Sequence, residues 1–175
     1  ADCLETPMEN IVVFSVDTDI SPYDSGSYAS STTYTTGVAV MKACKELRGK
    51  ICEVGAQMLG TDVDKVAFDG SYVFVDEDEE EEKKVSLEQV ALKGTFFNNI
   101  ELQVVKQHSS PLSPPPFMVG MAEVEVDTET GEVDVLDYVA VVDCGTPINP
   151  NLARVQTEGG IAQGIGMALF EDVQY

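Results

Sequence analysis

The chain has 175 residues, 43% of them hydrophobic and 23% charged, which suits one domain or a large piece of one. Acidic residues outnumber basic ones 31 to 10, a formal net charge of −21, so the surface repels phosphate backbones and argues against nucleic-acid binding. No apolar run reaches the ~18 residues a membrane helix needs, and the N-terminus lacks the basic-then-apolar pattern of a secretory signal.

The first predicted element is a buried strand over Asn10–Val16, β-branched and apolar, ending at Asp17-Thr18-Asp19. A polar loop follows, punctuated by Pro22 and Gly26. A helix is then predicted from about Thr33 to Leu59. Val40, Cys44, Leu47, Ile51, Val54 and Met58 recur at spacings of three and four and form one stripe. Two short strands, Lys65–Phe68 and Tyr72–Val75, flank Asp69-Gly70, a tight-hairpin signal. Seven acidic residues run from Asp76 to Glu82, and the run with Lys83-Lys84 reads as an exposed loop over about 76–84. The general acidity reads as a solubility device, or more sharply as a docking face for a basic partner subunit.

Ser86 and Gln89 have capping-box spacing and open a short helix that runs to about Phe96. Ile100–His108 reads as a strand. The stretch containing Pro114, Pro115 and Pro116 lacks backbone donors and reads as an extended connector. Phe117–Asp127 and Glu132–Asp143 read as a hairpin turning through Thr128–Gly131. Asn149-Pro150 is a strong helix start, and that helix reaches about Phe170. The fold class expected is mixed α/β, with a mixed sheet that includes the hairpin packed against two long helices.

Two stretches stand out chemically. The last helix carries Gly159, Gly160, Gly164 and Gly166, and four helical glycines cost on the order of 3–4 kcal/mol against alanine. Such a helix needs close approach to another backbone or to a ligand. Gln156 and Gln163, seven apart on one face, offer uncharged donors and acceptors to a polar heterocycle or a phosphate. Tight packing on a sheet is the competing explanation. The loop from Ser25 to Thr33 is crowded with hydroxyls and leads into a helix N-terminus, where free N–H groups attract anions. An ordinary serine-rich capping loop would look the same.

Other residues carry less. Cys3, Cys44, Cys52 and Cys144 form no C-x-x-C pair, so zinc or iron–sulfur ligation is unsupported, and unpaired thiols fit a cytoplasmic protein. His108 is the only histidine, without a second ligand for a metal or a triad. Asp17 and Asp19 suit cap and turn roles, and Asp143 suits the loop into the last helix.

The segment D-T-D-I-S-P-Y-D-S-G-S-Y-A-S-S-T-T-Y-T-T-G-V-A-V resembles a cofactor segment of the molybdenum hydroxylases, the xanthine dehydrogenase and aldehyde oxidase family. A-E-V-E-V-D-T-E-T-G-E-V and D-C-G-T-P-I-N-P-N-L-A-R-V-Q-T-E-G-G-I-A-Q-G-I-G-M-A-L-F-E resemble its next signature block. The resemblance runs from about Ile11 to the end and weakens between Lys65 and Ser110.

It implies a partial molybdenum-cofactor-binding domain over 1–175. The implied oxidoreductase inserts a water-derived oxygen into a carbon–hydrogen bond of a purine, heteroaromatic or aldehyde. The cofactor-binding set implied is Tyr28, Ala29, Ser30, Ser31, Thr32 and Gln156. Ala29 falls near the metal, Ser30, Ser31 and Thr32 at the pterin and its phosphate, and Gln156 at the pterin. Ser31 stands where many relatives have arginine.

Molybdenum is held by the pterin dithiolene, with no protein ligand in this stretch, and iron–sulfur clusters and FAD sit on other domains or subunits. The family's catalytic glutamate, in a Gly-Glu motif, lies beyond this chain's last residue, and a glycine-rich loop lies before its first. The segment alone is therefore expected to be inactive. The partners implied are the remainder of the molybdenum subunit, the iron–sulfur and flavin parts and a small-molecule substrate. A cofactor-free assembly module on the same scaffold and an acidic interaction protein are the readings from other classes.

Overall fold

The computed structural model describes residues 1–15, 17–76, 83–98 and 100–175. It divides into two compact units, Ala1–Pro111 and Leu112–Tyr175.

Unit 1 is built on α1, Thr32–Leu59, packed on the antiparallel strands β1 (Val66–Phe68), β2 (Tyr72–Val75) and β3 (Lys84–Ser86) in the order β1-β2-β3. α2, Leu87–Lys93, follows directly and continues as one π turn through Gly94–Asn98. The core is small: Ile51 and Val54 of α1, Phe68, Val73 and Val90. Burying each such side chain contributes roughly 1.5–3 kcal/mol. Val73 sits at the centre because β2 is the middle strand, paired with Phe68 on one side and Val85 on the other. Of the expected stripe only Ile51 and Val54 are buried. Cys44, Leu47 and Met58 are half-buried, and Val40 is 54% exposed.

The local signals act as expected at the helix ends. Gly60 takes φ 68° at the end of α1, the left-handed conformation that glycine adopts without Cβ strain. Ser86 Oγ accepts from Gln89 N while Gln89 Oε1 accepts from Ser86 N, a complete capping box. Gly70 is buried with φ 92° at the β1–β2 turn, where the backbone at Glu5 and Thr6 leaves no room for a Cβ. Arg48 ties this corner together. Its Nη1 lies 2.7 Å from Glu5 Oε1, its Nη2 donates to Phe68 O at 2.7 Å, and its guanidinium carbon is 5.9 Å from the Phe68 ring centroid.

Two expected strands differ. Over 10–15 the chain makes a 3₁₀ turn at Met8–Asn10 and then no ladder, and Val12 is 90% exposed. β-propensity reflects fit to a pleated, partnered surface, and among the described residues no strand pairs with this one.

The segment 100–108 is not a strand either. Ile100 and Leu102 pack on the core, but Lys50 of α1, rather than a neighbouring strand, meets backbone carbonyls of the segment. Lys50 Nζ donates to Gln103 O at 3.0 Å, Lys106 pairs with Glu46, and Lys42 Nζ lies 3.0 Å from His108 Nδ1. The helix positions fall as 50, 46 and 42 while their partners rise as 103, 106 and 108. The segment therefore runs antiparallel along α1. An ammonium only donates, so Nδ1 accepts. The acidic loop expected over 76–84 falls mostly on 77–82, outside the described residues, and Lys84 already belongs to β3.

Unit 2 holds the expected hairpin and helix. β4, Phe117–Val126, pairs antiparallel with β5, Val133–Asp143, with a bulge at Glu123/Val124. Asp127 organises the turn. Its Oδ1 accepts from Glu129 N at 2.7 Å and Thr130 N at 3.1 Å, which holds the carboxyl below the usual aspartate range. Gly131 takes φ 79°, as expected of the turn glycine. α3, Pro150–Leu169, starts where Asn149 Oδ1 accepts from Leu152 N at 3.1 Å.

The class is mixed α/β as expected, but the described strands form two separate antiparallel sheets rather than one mixed sheet. α1 lies on the three-stranded sheet, whereas α3 buries no residue.

Candidate functional site

The segment 17–31 contains no helix or strand and delivers the chain to α1. Asp17 takes the turn role expected of it, its Oδ1 accepting from Asp19 N at 2.9 Å, and Asp24 Oδ1 accepts from Gly26 N at 2.7 Å. Gly26 takes φ 98°, and the Tyr28 ring covers the position of its missing side chain.

The expected residues Tyr28, Ala29, Ser30, Ser31 and Thr32 come together in one bend. Ser31 N donates to Tyr28 O at 3.0 Å, closing a four-residue turn whose central residues are Ala29 at φ 48° and Ser30 at φ 56°. Two positive φ values characterise a type I′ turn, normally made by Asn-Gly or Gly-Gly. A side chain held left-handed costs about 1–2 kcal/mol, and strain of this kind collects at functional sites.

A second closure lies just outside the first, with Ser27 Oγ 2.6 Å from Thr32 Oγ1. The candidate loop from Ser25 to Thr33 contains Ser27 but does not single it out. Hydroxyls fill the whole segment, and nothing in the pattern distinguishes this one before the bend is known. Ser31 is the N-cap of α1 but makes no side-chain cap hydrogen bond, and the first turn of α1 carries no acidic residue.

The donor set suits an anion. Hydroxyls at Ser31 and Thr32 stand at the positive end of a 28-residue helix, with no carboxylate in its first turn to repel a phosphate. Tyr28, Ala29, Ser30 and Thr32 are exposed, and Ser31 is half-buried.

Gln156 belongs to unit 2, on the exposed surface of α3. On the same helix Arg154 Nε donates to Glu158 Oε1 at 2.6 Å, and the paired carboxylate raises the arginine further. A Cβ at Gly159, Gly160 or Gly164 would meet nothing within 4 Å. Packing on the hairpin therefore does not account for these glycines within unit 2. The carboxylate of Asp143 accepts from Gly145 N at 2.9 Å and shapes the approach to α3, as expected.

All four cysteines are unpaired; Cys44 and Cys52 are half-buried and Cys3 and Cys144 exposed. Burial pushes the Cys52 thiol up, partly offset by Arg48. Among the described residues no group of three or more His, Cys, Asp or Glu could hold a metal ion. No helix among them is long and apolar enough to cross a membrane.

The family model of the molybdopterin cofactor-binding domain matches residues 1–175. The chain belongs to that family and is a segment of the molybdenum hydroxylase type.

The protein named probable hypoxanthine oxidase XdhD of Escherichia coli K12 is 37% identical over 178 residues, covering all of this chain and 18% of the relative. The xanthine dehydrogenase molybdenum-binding subunit of Escherichia coli O157:H7 is 30% identical over 177 residues, covering 99% of this chain and 23% of the relative. Among solved structures, reconstituted CO dehydrogenase from Oligotropha carboxidovorans is similar with a TM-score of 0.63 and 26% identity, over 90% of this chain and 20% of that one. The chain thus spans 18% and 23% of the length of these two curated relatives.

Proposed function

We propose that this chain is the cofactor-gripping part of the molybdenum subunit of a xanthine-dehydrogenase-like hydroxylase acting on a purine, a related heteroaromatic or an aldehyde. The observation that carries the reading is the bend at Tyr28–Ser31. Two non-glycine residues at positive φ shape a hydroxyl-rich bend directly before α1, in the segment that resembles the family's cofactor block.

In this reading Ser30, Ser31 and Thr32 donate to the phosphate and pterin of the cofactor. Ala29 leaves the space beside the metal open, and Tyr28 flanks it. Gln156 offers an amide to the pterin edge. When bound, the molybdenum–pterin group supplies the transfer of a water-derived oxygen to the substrate carbon. The chain's own residues bind and orient it, and none of them serves as the general base.

The name of the 37%-identical relative favours an oxidised purine as substrate. Partners in this proposal are the remaining length of the subunit and the iron–sulfur and flavin parts that carry electrons away. The four unpaired thiols fit a cytoplasmic location.

Molybdenum and pterin analysis of the intact protein tests the reading. Near-stoichiometric cofactor is expected in the parent, with less in Thr32→Ala and Gln156→Ala. Full cofactor content in both variants would remove the assignment. The 175-residue segment by itself is expected to show no turnover of hypoxanthine or xanthine.

A further inference from the structure

The geometry points to Ser27, five residues before the first turn of α1, as a positioning residue for the cofactor-gripping bend; this rests on the reading proposed above. The bend is closed by two rungs. The inner rung is the backbone bond from Ser31 N to Tyr28 O at 3.0 Å. The outer rung is the side-chain pair Ser27 Oγ and Thr32 Oγ1 at 2.6 Å.

Between the rungs stand Ala29 and Ser30 with φ of 48° and 56°, conformations that residues with side chains leave when free to do so. One backbone hydrogen bond on an exposed turn is a weak restraint. The outer rung supplies a second, and it joins the bend to α1, the most regular element of unit 1. It also engages the Thr32 hydroxyl, and with Ser27 Oγ donating, the Thr32 hydrogen is left for the cofactor. Ser27 thus acts through Thr32 and the turn, without contact to the cofactor itself.

The rung is exposed and shares no residue with the core of Ile51, Val54, Phe68, Val73 and Val90. Its loss changes the bend without changing the stability of the fold, and this separates a positioning role from a structural one.

The test is the rate at which the intact enzyme releases its pterin, followed by the fluorescence of the oxidised pterin after dilution, together with the urea midpoint of each variant. Ser27→Ala is expected to release pterin about three- to tenfold faster, the range for one net hydrogen bond, with the parent's midpoint. Ser27→Thr, which keeps the hydroxyl, is expected to stay near the parent rate.

Release from Ser27→Ala at the parent rate overturns the proposal. So does an Ser27→Thr variant as fast as Ser27→Ala, or a midpoint that falls in step with the release rate. Thr32→Ala separates the two levels. If it accelerates release while Ser27→Ala does not, only the positioning role fails. If Ser31→Ala and Thr32→Ala both match the parent, the cofactor reading of the bend fails with it.

Discussion

Gly55 of α1 stands so close to β2 that a Cβ built on it would lie 2.5 Å from Cγ1 of Val73. Val73 is fully buried and walled in by both neighbouring strands, so it has nowhere to retreat. The helix meets the sheet here through a missing side chain.

Gly49, six residues earlier on the same helix, is exposed, and a Cβ there would meet nothing within 4 Å. The two glycines should respond to alanine with opposite signs. Gly55→Ala is expected to destabilise unit 1 by about 1–3 kcal/mol through overpacking. Gly49→Ala is expected to stabilise it by up to ~1 kcal/mol through helix propensity. Urea unfolding of the two variants checks this, and a stabilised Gly55→Ala would count against the packing described.

Arg48 makes a forked contact that lysine cannot copy, one nitrogen to Glu5 and another to Phe68 O, with the guanidinium near the Phe68 ring. Arg48→Lys should loosen the N-terminal corner and cost about 1 kcal/mol, chiefly the hydrogen bond to a partly buried carbonyl. The Glu5 contact is half-exposed and adds little in solvent. Limited proteolysis within 1–10 should become faster in the variant, and an unchanged cleavage rate would argue against an anchoring role.

Asp127 gives unit 2 an acid-sensitive turn. Its carboxyl is held below the ordinary aspartate value near 3.8 by the amides of Glu129 and Thr130. The folded value lies below the unfolded one. The stabilisation is therefore present above about 3.8 and is lost as pH falls through the lower, folded value. In an NMR titration the amide signals of Glu129 and Thr130 should move together with a midpoint below that of a free aspartate. A midpoint at or above the free value would refute the assignment. Asp127→Asn keeps an acceptor and should abolish the titration while preserving the turn.

The cysteines should separate by reactivity. Cys3 and Cys144 are exposed, whereas Cys52 is half-buried with its thiol pushed up by burial. Iodoacetamide at mildly alkaline pH should label Cys3 and Cys144 first and Cys52 more slowly. Mass spectrometry of a time course reads the order, and early labelling of Cys52 would contradict its burial.

Where residues adjacent in sequence decide the structure, the sequence was legible. Ser86 and Gln89 cap α2, Asn149 and Pro150 open α3, Gly131 turns the long hairpin, and Ile51 and Val54 face the core. Distant partners decided the cases that differed. The run before Asp17 has strand composition but no described neighbour to pair with. The segment 100–108 alternates like a strand, yet its carbonyls are met by a lysine of α1.

The candidate site shows in the sequence as a hydroxyl-rich stretch and a glutamine on a glycine-dense helix. The bend was not. Positive φ is normally announced by glycine or asparagine, and here alanine and serine adopt it. Ser27 acquires a meaning only once that bend brings it to Thr32.

The hairpin of unit 2 has a practical consequence. β4 and β5 pair only with each other among the described residues, so each keeps an open edge along 10 or 11 residues. Val119, Met121, Val139 and Val141 stand exposed on one of its faces. Bare edges beside bare valines are a template for cross-β stacking. A truncated preparation of 112–175 should therefore precipitate at high concentration, and a charged residue at Val119 or Val141 is the change that would keep it in solution.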